Sequence, residues 1–177
     1  MLLLSSLALA APESKELGPY TVKFDLNSDT DYSIEPSGPV TSEAGNLYRM
    51  AIIKDNSTFA MIDIAEYSEP TDSTLLMHKT LIPMSMILQG LNITNVEDKT
   101  VDGKEGFLVT AVPFMANGEQ PNFDVNKAMY WLDSEKCECG PVSVGKTSVV
   151  VSSTYPQDIT QNLLDSLHVE KGQAVAA

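Results

Sequence analysis

The order of hydrophobic patterns predicts an α+β fold: a mostly antiparallel β-sheet of about six to eight strands, packed with two helices as an α/β/α sandwich. Three observations carry this. Several segments alternate apolar and polar residues with a period of two, as half-buried strands do. Short turn-forming stretches join neighbouring strands into hairpins, which makes their pairing antiparallel. Two segments, near residues 72–91 and 156–168, repeat instead with a period near 3.6. A helix with an apolar stripe must bury it, and the two faces of a sheet are the available partners.

Residues 1–11 are set apart from that fold as a signal peptide or its remnant, leaving 12–177 as a single α+β domain. Leu2 to Leu9 form a short apolar run, and Ala8-Leu9-Ala10 fits the small-x-small rule for cleavage. No Lys or Arg precedes the run, the one feature of an export signal that is missing. The expected location is extracellular or at the cell surface. No later stretch of 18 or more apolar residues exists to insert in a membrane.

Glu13 to Gly18 reads as a polar lead-in. Thr21 to Leu26 then alternates, with Val22, Phe24 and Leu26 on one face. Tyr32 to Glu35 reads as a short strand, and Pro36 to Gly45 as a turn-rich surface loop. Leu47–Lys54 and Thr58–Tyr67 make a hairpin around Asp55-Asn56-Ser57. The second of these has apolar residues on both faces and so predicts a central strand. Thr71 or Asp72 is the expected cap of a helix whose apolar stripe is Met77, Leu81, Met84, Leu88 and Leu91. Pro83 should bend it, and Gly90 should end it.

Ile93–Val101 and Glu105–Pro113 pair across Asp102-Gly103, a good tight-turn dipeptide. Residues 116–126 read as a long loop, followed by strands at 128–132 and 147–153. Pro156 suits the first position of a second helix, striped by Ile159, Leu163 and Leu167.

Charge narrows the function. The 177-residue chain carries 24 acidic and 11 basic residues, a net −13. That field repels nucleic-acid phosphates and anionic lipid headgroups, so neither is an expected partner. A protein outside the cell is the expected one, with an acidic coat that also serves solubility.

The chemical motifs are few. Gly140 to Thr147 matches the phosphate-loop pattern, but Lys146-Thr147 runs into Ser148-Val149-Val150-Val151, a strand-like sequence where the chemistry needs a helix N-terminus. Nucleotide binding is therefore rejected. Cys137-Glu138-Cys139 admits three readings: a small strained disulfide, a partial soft-metal site, or thiols that stay reduced or link to another chain. Asp25, Asn27, Asp29 and Asp31 place oxygens at every second residue, as a calcium loop does. Thr30 and Pro36 stand where an EF-hand needs Gly and Glu, so only a looser calcium site remains. Apart from these two ion candidates, no cofactor is expected. Asn56 and Asn92 begin N-glycosylation sequons in predicted turns. With His78 and His168 as the only imidazoles, no catalytic triad is indicated. Trp131 and Tyr130 are expected to pack in a strand.

The closing segment carries a resemblance. Thr147 to Val151, then Ser153-Thr154-Tyr155-Pro156, then Leu163-Leu164-Asp165-Ser166-Leu167-His168-Val169 resembles the last strand, helix and close of the PsbP family of photosystem II extrinsic proteins. The bacterial lipoprotein DcrB looks similar, as do uncharacterised exported archaeal proteins. The resemblance implies an antiparallel sheet between helices, serving as an accessory or binding module, and assigns no functional residue. The expected function is thus an exported, non-enzymatic accessory or binding domain. The alternative is a metal-handling or thiol-redox domain using Cys137 and Cys139. An exposed apolar patch at a helix edge or on a sheet face would favour the first.

Overall fold

The computed structural model describes residues 12–71, 73–114, 123–133, 135–136 and 143–172. Its centre is a seven-stranded sheet in which every pairing is antiparallel. In chain order its strands are β3 (Ser33–Ser42), β4 (Gly45–Ile53), β5 (Phe59–Tyr67), β6 (Leu91–Val101), β7 (Lys104–Pro113), β8 (Val125–Trp131) and β11 (Thr147–Ser153). Across the sheet they run β3-β4-β5-β11-β8-β7-β6. Two three-stranded meanders are thus joined through the late strand β11. It holds the middle of the sheet, with Val149 and Val151 buried on one face and Ser148, Val150 and Ser152 on the other. In the structure Val149 stands opposite Ile64 on one neighbour and Tyr130 on the other.

A second sheet of three strands, β1 (Glu13–Leu17), β2 (Tyr20–Phe24) and β12 (His168–Lys171), pairs in the order β1-β2-β12. The sequence reading missed two of these. Glu13–Leu17 was expected to be lead-in, yet it pairs along its whole length with β2 and buries Leu17. His168 was expected at a helix end and instead opens β12. Short, charged edge strands carry a weak alternating signal, and long-range pairing supplies what local pattern does not. A two-residue ladder joins β9 (Glu135–Lys136) to β10 (Ser143–Val144).

The predicted loop from Pro36 to Gly45 is also strand. β3 extends to Ser42 despite Pro36 and Pro39, with a register shift between Ser37 and Val40. Proline lacks the donor a ladder needs, and β3 tolerates two because it is a sheet edge with a bulge.

The helices are α1 (Leu75–Leu88) and α2 (Gln157–Ser166). On one sheet face, α2 and the small sheet enclose a core that includes Tyr20, Val22, Phe24, Met50, Ile52, Ile62, Ile64, Leu163, Leu164 and Leu167. The predicted stripe of α2 is therefore inward, with each fully buried leucine contributing roughly 1.5–3 kcal/mol of transfer free energy. On the other face, α1 packs over β6, β7 and β8, where Met86 meets a cluster of Phe107, Val109, Ala111, Met129 and Trp131. One helix covers only part of a seven-stranded face. On the half built from β4 and β5, this face is half-buried, and among its apolar residues Arg49 makes a two-pronged ion pair to Asp63 at 2.7 and 2.9 Å.

Candidate functional site

α1 begins at Thr74, not at Thr71 or Asp72: the Thr74 hydroxyl accepts a hydrogen bond from the Met77 N–H at 3.1 Å. It runs unbroken through Pro83 and ends at Gln89. Gly90 follows with φ of 82°, a left-handed backbone suited to glycine. Leu91 lies outside the helix and starts β6.

Between these ends the residue types are apolar on almost every side. The two ionisable side chains are both accounted for. Lys79 reaches Asp98 of β6 at 2.6 Å. His78 sits edge-on to Trp131, with ring centroids 5.6 Å apart, and burial pushes its pKa below the ordinary 6.5. The inward ridge is Leu75, His78, Ile82 and Met86. Trp131 in turn is packed against Gly145, where a Cβ would come within 2.5 Å of its ring.

The predicted stripe therefore points the wrong way. Met77, Leu81, Met84 and Leu88 do recur at 4-3-4 spacing, but they face outward together with Leu76 and Ile87. These six are between 48% and 88% exposed. The spacing was right, but a helix that is apolar all round offers several stripes, and periodicity does not choose among them. The sheet selected the ridge whose residues 78, 82 and 86 meet Trp131 and its neighbours. Phe114, 65% exposed, is tied beside the end of α1 by its N–H to the Gly90 carbonyl at 2.8 Å.

This face amounts to on the order of 700 Å² of apolar surface, above the ~300–600 Å² of the largest patch on an ordinary monomer. Leu76 and Ile87 were absent from the sequence stripe. The spread of apolar residues around the helix, ten of the fourteen positions of 75–88 with Pro83 included, was the signal that could have exposed the whole face.

A second cluster gathers around Asp102. This residue turns the β6–β7 hairpin with φ of 54°, and its side chain is 4% exposed. It accepts the Val169 N–H at 3.1 Å and the Tyr130 hydroxyl at 3.3 Å, and lies 2.6 Å from His168 Nδ1. Burial and the adjacent carboxylate push the Tyr130 phenol well above its ordinary range, so it stays a proton donor to Asp102. The arrangement clamps β12, and with it the small sheet, to the main sheet. The contacts of His168 in the structure are carboxylates, Asp102 and, at 3.7 Å, Glu170, and no hydroxyl or thiol nucleophile adjoins it among the described residues.

The remaining sequence candidates are dispersed. Lys146 and Thr147 lead into β11, and their N–H groups are captured by Asp133 Oδ1 at 3.0 and 2.7 Å. These two donors, which a phosphate loop would turn to a ligand, are thus spent on a turn. Lys104, Lys146 and Lys171 line a cleft of about 400 Å³ with Glu66 and Asp133.

Asp25, Asn27, Asp29 and Asp31 lie between β2 and β3. Asp25 Oδ1 accepts the Asn27 N–H at 2.7 Å, and Asn27 has φ of 47°. Among the described residues, no three carboxylate, thiol or imidazole groups converge as a metal set. Cys137 and Cys139 lie outside the described residues. Asn56 is exposed in the β4–β5 turn, whereas Asn92 is exposed on β6 and not in the turn expected.

No family model and no curated protein matches the sequence. Among solved structures, the chain is similar to the solution structure of cyanobacterial PsbP (CyanoP) from Synechocystis sp. PCC 6803. The TM-score is 0.51 at 10% identity, over 93% of this chain and 96% of that one. The fold is PsbP-like. The expected α+β sandwich is thereby the observed one, while at this identity the likeness speaks for the fold alone. No described helix is long and apolar enough to cross a membrane.

Proposed function

We propose that this chain is an exported, non-enzymatic accessory domain that docks onto a protein outside the cell through the outer face of α1. The observation that carries the reading is the exposed ridge Leu76, Met77, Leu81, Met84, Ile87 and Leu88. Leaving six large apolar side chains in water forgoes stabilisation that burial would give, so an exposed face of this size marks a place where another surface fits. Four of the six belong to a 4-3-4 seam that a helix or an apolar groove can receive. Export is supported by the apolar run Leu2 to Leu9 and the small-x-small motif behind it. The accessory role is supported by the ionisable clusters, which are spent on holding strands and turns together.

A photo-crosslinking residue at Met84 tests this on intact native cells, with the same residue at Glu43 as the exposed control. Covalent protein adducts from position 84 and not from 43 are expected. Equal labelling from both, or none from 84, would remove α1 as the docking face.

A further inference from the structure

We infer that the protein received by the outer face of α1 is a second copy of this chain, packed antiparallel about a two-fold axis that passes between Leu81 and Met84. The inference rests on the docking reading above and adds the identity of the occupant.

Symmetry comes first. A two-fold contact requires one patch to be complementary to itself. Met77, Leu81, Met84 and Leu88 are spaced 4-3-4, which reads the same in both directions. The residue types obey the same symmetry. Reversed onto itself, the seam sets Met77 against Leu88 of the partner subunit and Leu81 against Met84 of the partner subunit. Every pair is then one flexible thioether against one branched leucine, a combination that adapts to small errors of fit. Flanking the seam are Thr80, Ser85 and Ile87, none of which carries charge.

Charge comes second. A net −13 repels another copy over most of the surface. A basic partner would gain by meeting the acidic surface and would gain nothing on α1. A like-charged copy can approach only where charge is absent, and α1 presents such a face: its one permanent cation, Lys79, is already paired with Asp98.

Area comes third. About 700 Å² of apolar surface on each copy is close to the ~800 Å² per partner of a standard interface. Phe114 at the helix end extends the patch.

Sedimentation of the purified chain across a range of concentrations, with circular dichroism to show that each variant is folded, tests the inference. The wild type is expected to be a dimer at micromolar concentration. Leu81→Lys and Met84→Glu, each alone, should weaken association by at least about 100-fold, as for a central interface anchor. Mixed together they should recover a heterodimer, because the antiparallel seam sets position 81 of one copy against 84 of the other. A wild type that stays monomeric at every concentration overturns the inference. If the Met84 crosslinker on cells then captures a different protein, the docking reading survives without it; if it captures nothing, both fall. Flotation of the chain with phosphatidylcholine vesicles, lost in Leu81→Lys, would assign the face to lipid and overturn both.

Discussion

The two helices solve the same packing problem in different ways. α2 is amphipathic: Leu163, Leu164 and Leu167 are buried, and its other side carries Asp158, Gln161 and Asp165. Its apolar atoms are used up by its own chain. Asp165 is drawn to the charged form by Lys99 at 2.8 Å and by Gln161, which is the solvated side of an ordinary surface helix. α1 buries one residue fully, Met86, and shows leucines and methionines to the outside. The contrast teaches that burial of a helix and apolarity of a helix are separate facts. An amphipathic helix states where its inner face is. A helix apolar all round states only that more than one surface wants to cover it.

The sharpest way to break this contrast is truncation on α2. Leu163→Ala removes a side chain with no exposure from the core between α2 and the sheet, and should lower the unfolding free energy by about 3 kcal/mol in urea titration, within the usual 2–5 range for such sites. A loss below 1 kcal/mol would mean that this core is looser than its packing.

Smaller effects come from the helix ends. α1 has a side-chain cap, Thr74, and α2, entered through Pro156, has none. Thr74→Ala should cost about 1 kcal/mol, read as a shift in the denaturant midpoint. Thr74→Ser should restore most of it.

The third effect is confined to acid. The His78 pKa is depressed by burial beneath α1, while in the unfolded chain it returns to 6.5. The unfolded state therefore binds more protons below that pH. Stability contributed by the neutral imidazole is fully present above pH 6.5 and is lost as pH falls through the lower folded value. Difference curves of unfolding free energy against pH, wild type minus His78→Phe, should bend downward below pH 6.5 and stay flat above it. A flat difference throughout would place His78 in water.

Much of the fold was legible because local pattern and long-range packing agree there. Val22, Phe24 and Leu26 alternate and are all buried; Asp102-Gly103 turns as its dipeptide predicts, with φ of 54° and 68°. Thr147–Ser153 is the strand its β-branched run predicts. The rest failed where one level is silent. β1 is charged and short, and its strand pairing is with β2 alone. β3 contains two prolines that local rules assign to a loop, and an edge position tolerates them. At the site, the sequence named four of the six exposed residues of α1 but set them inward, because spacing fixes a stripe and not its direction. Asp102 was read only as a turn residue; its clamp on Val169 and Tyr130 spans 67 and 28 positions, beyond the reach of any local motif.

The account turns on whether the outer ridge of α1 belongs to the fold or to an encounter. The direct measurement is the unfolding free energy of the variant Met77→Gln, Leu81→Gln, Met84→Gln, in dilute solution where both it and the wild type are monomeric. Exposed sites change stability by about 0.5 kcal/mol or less each, so the triple variant should unfold within about 1.5 kcal/mol of the wild type. A loss as large as that of Leu163→Ala would show that the chain already covers this ridge itself, and the docking face would not exist.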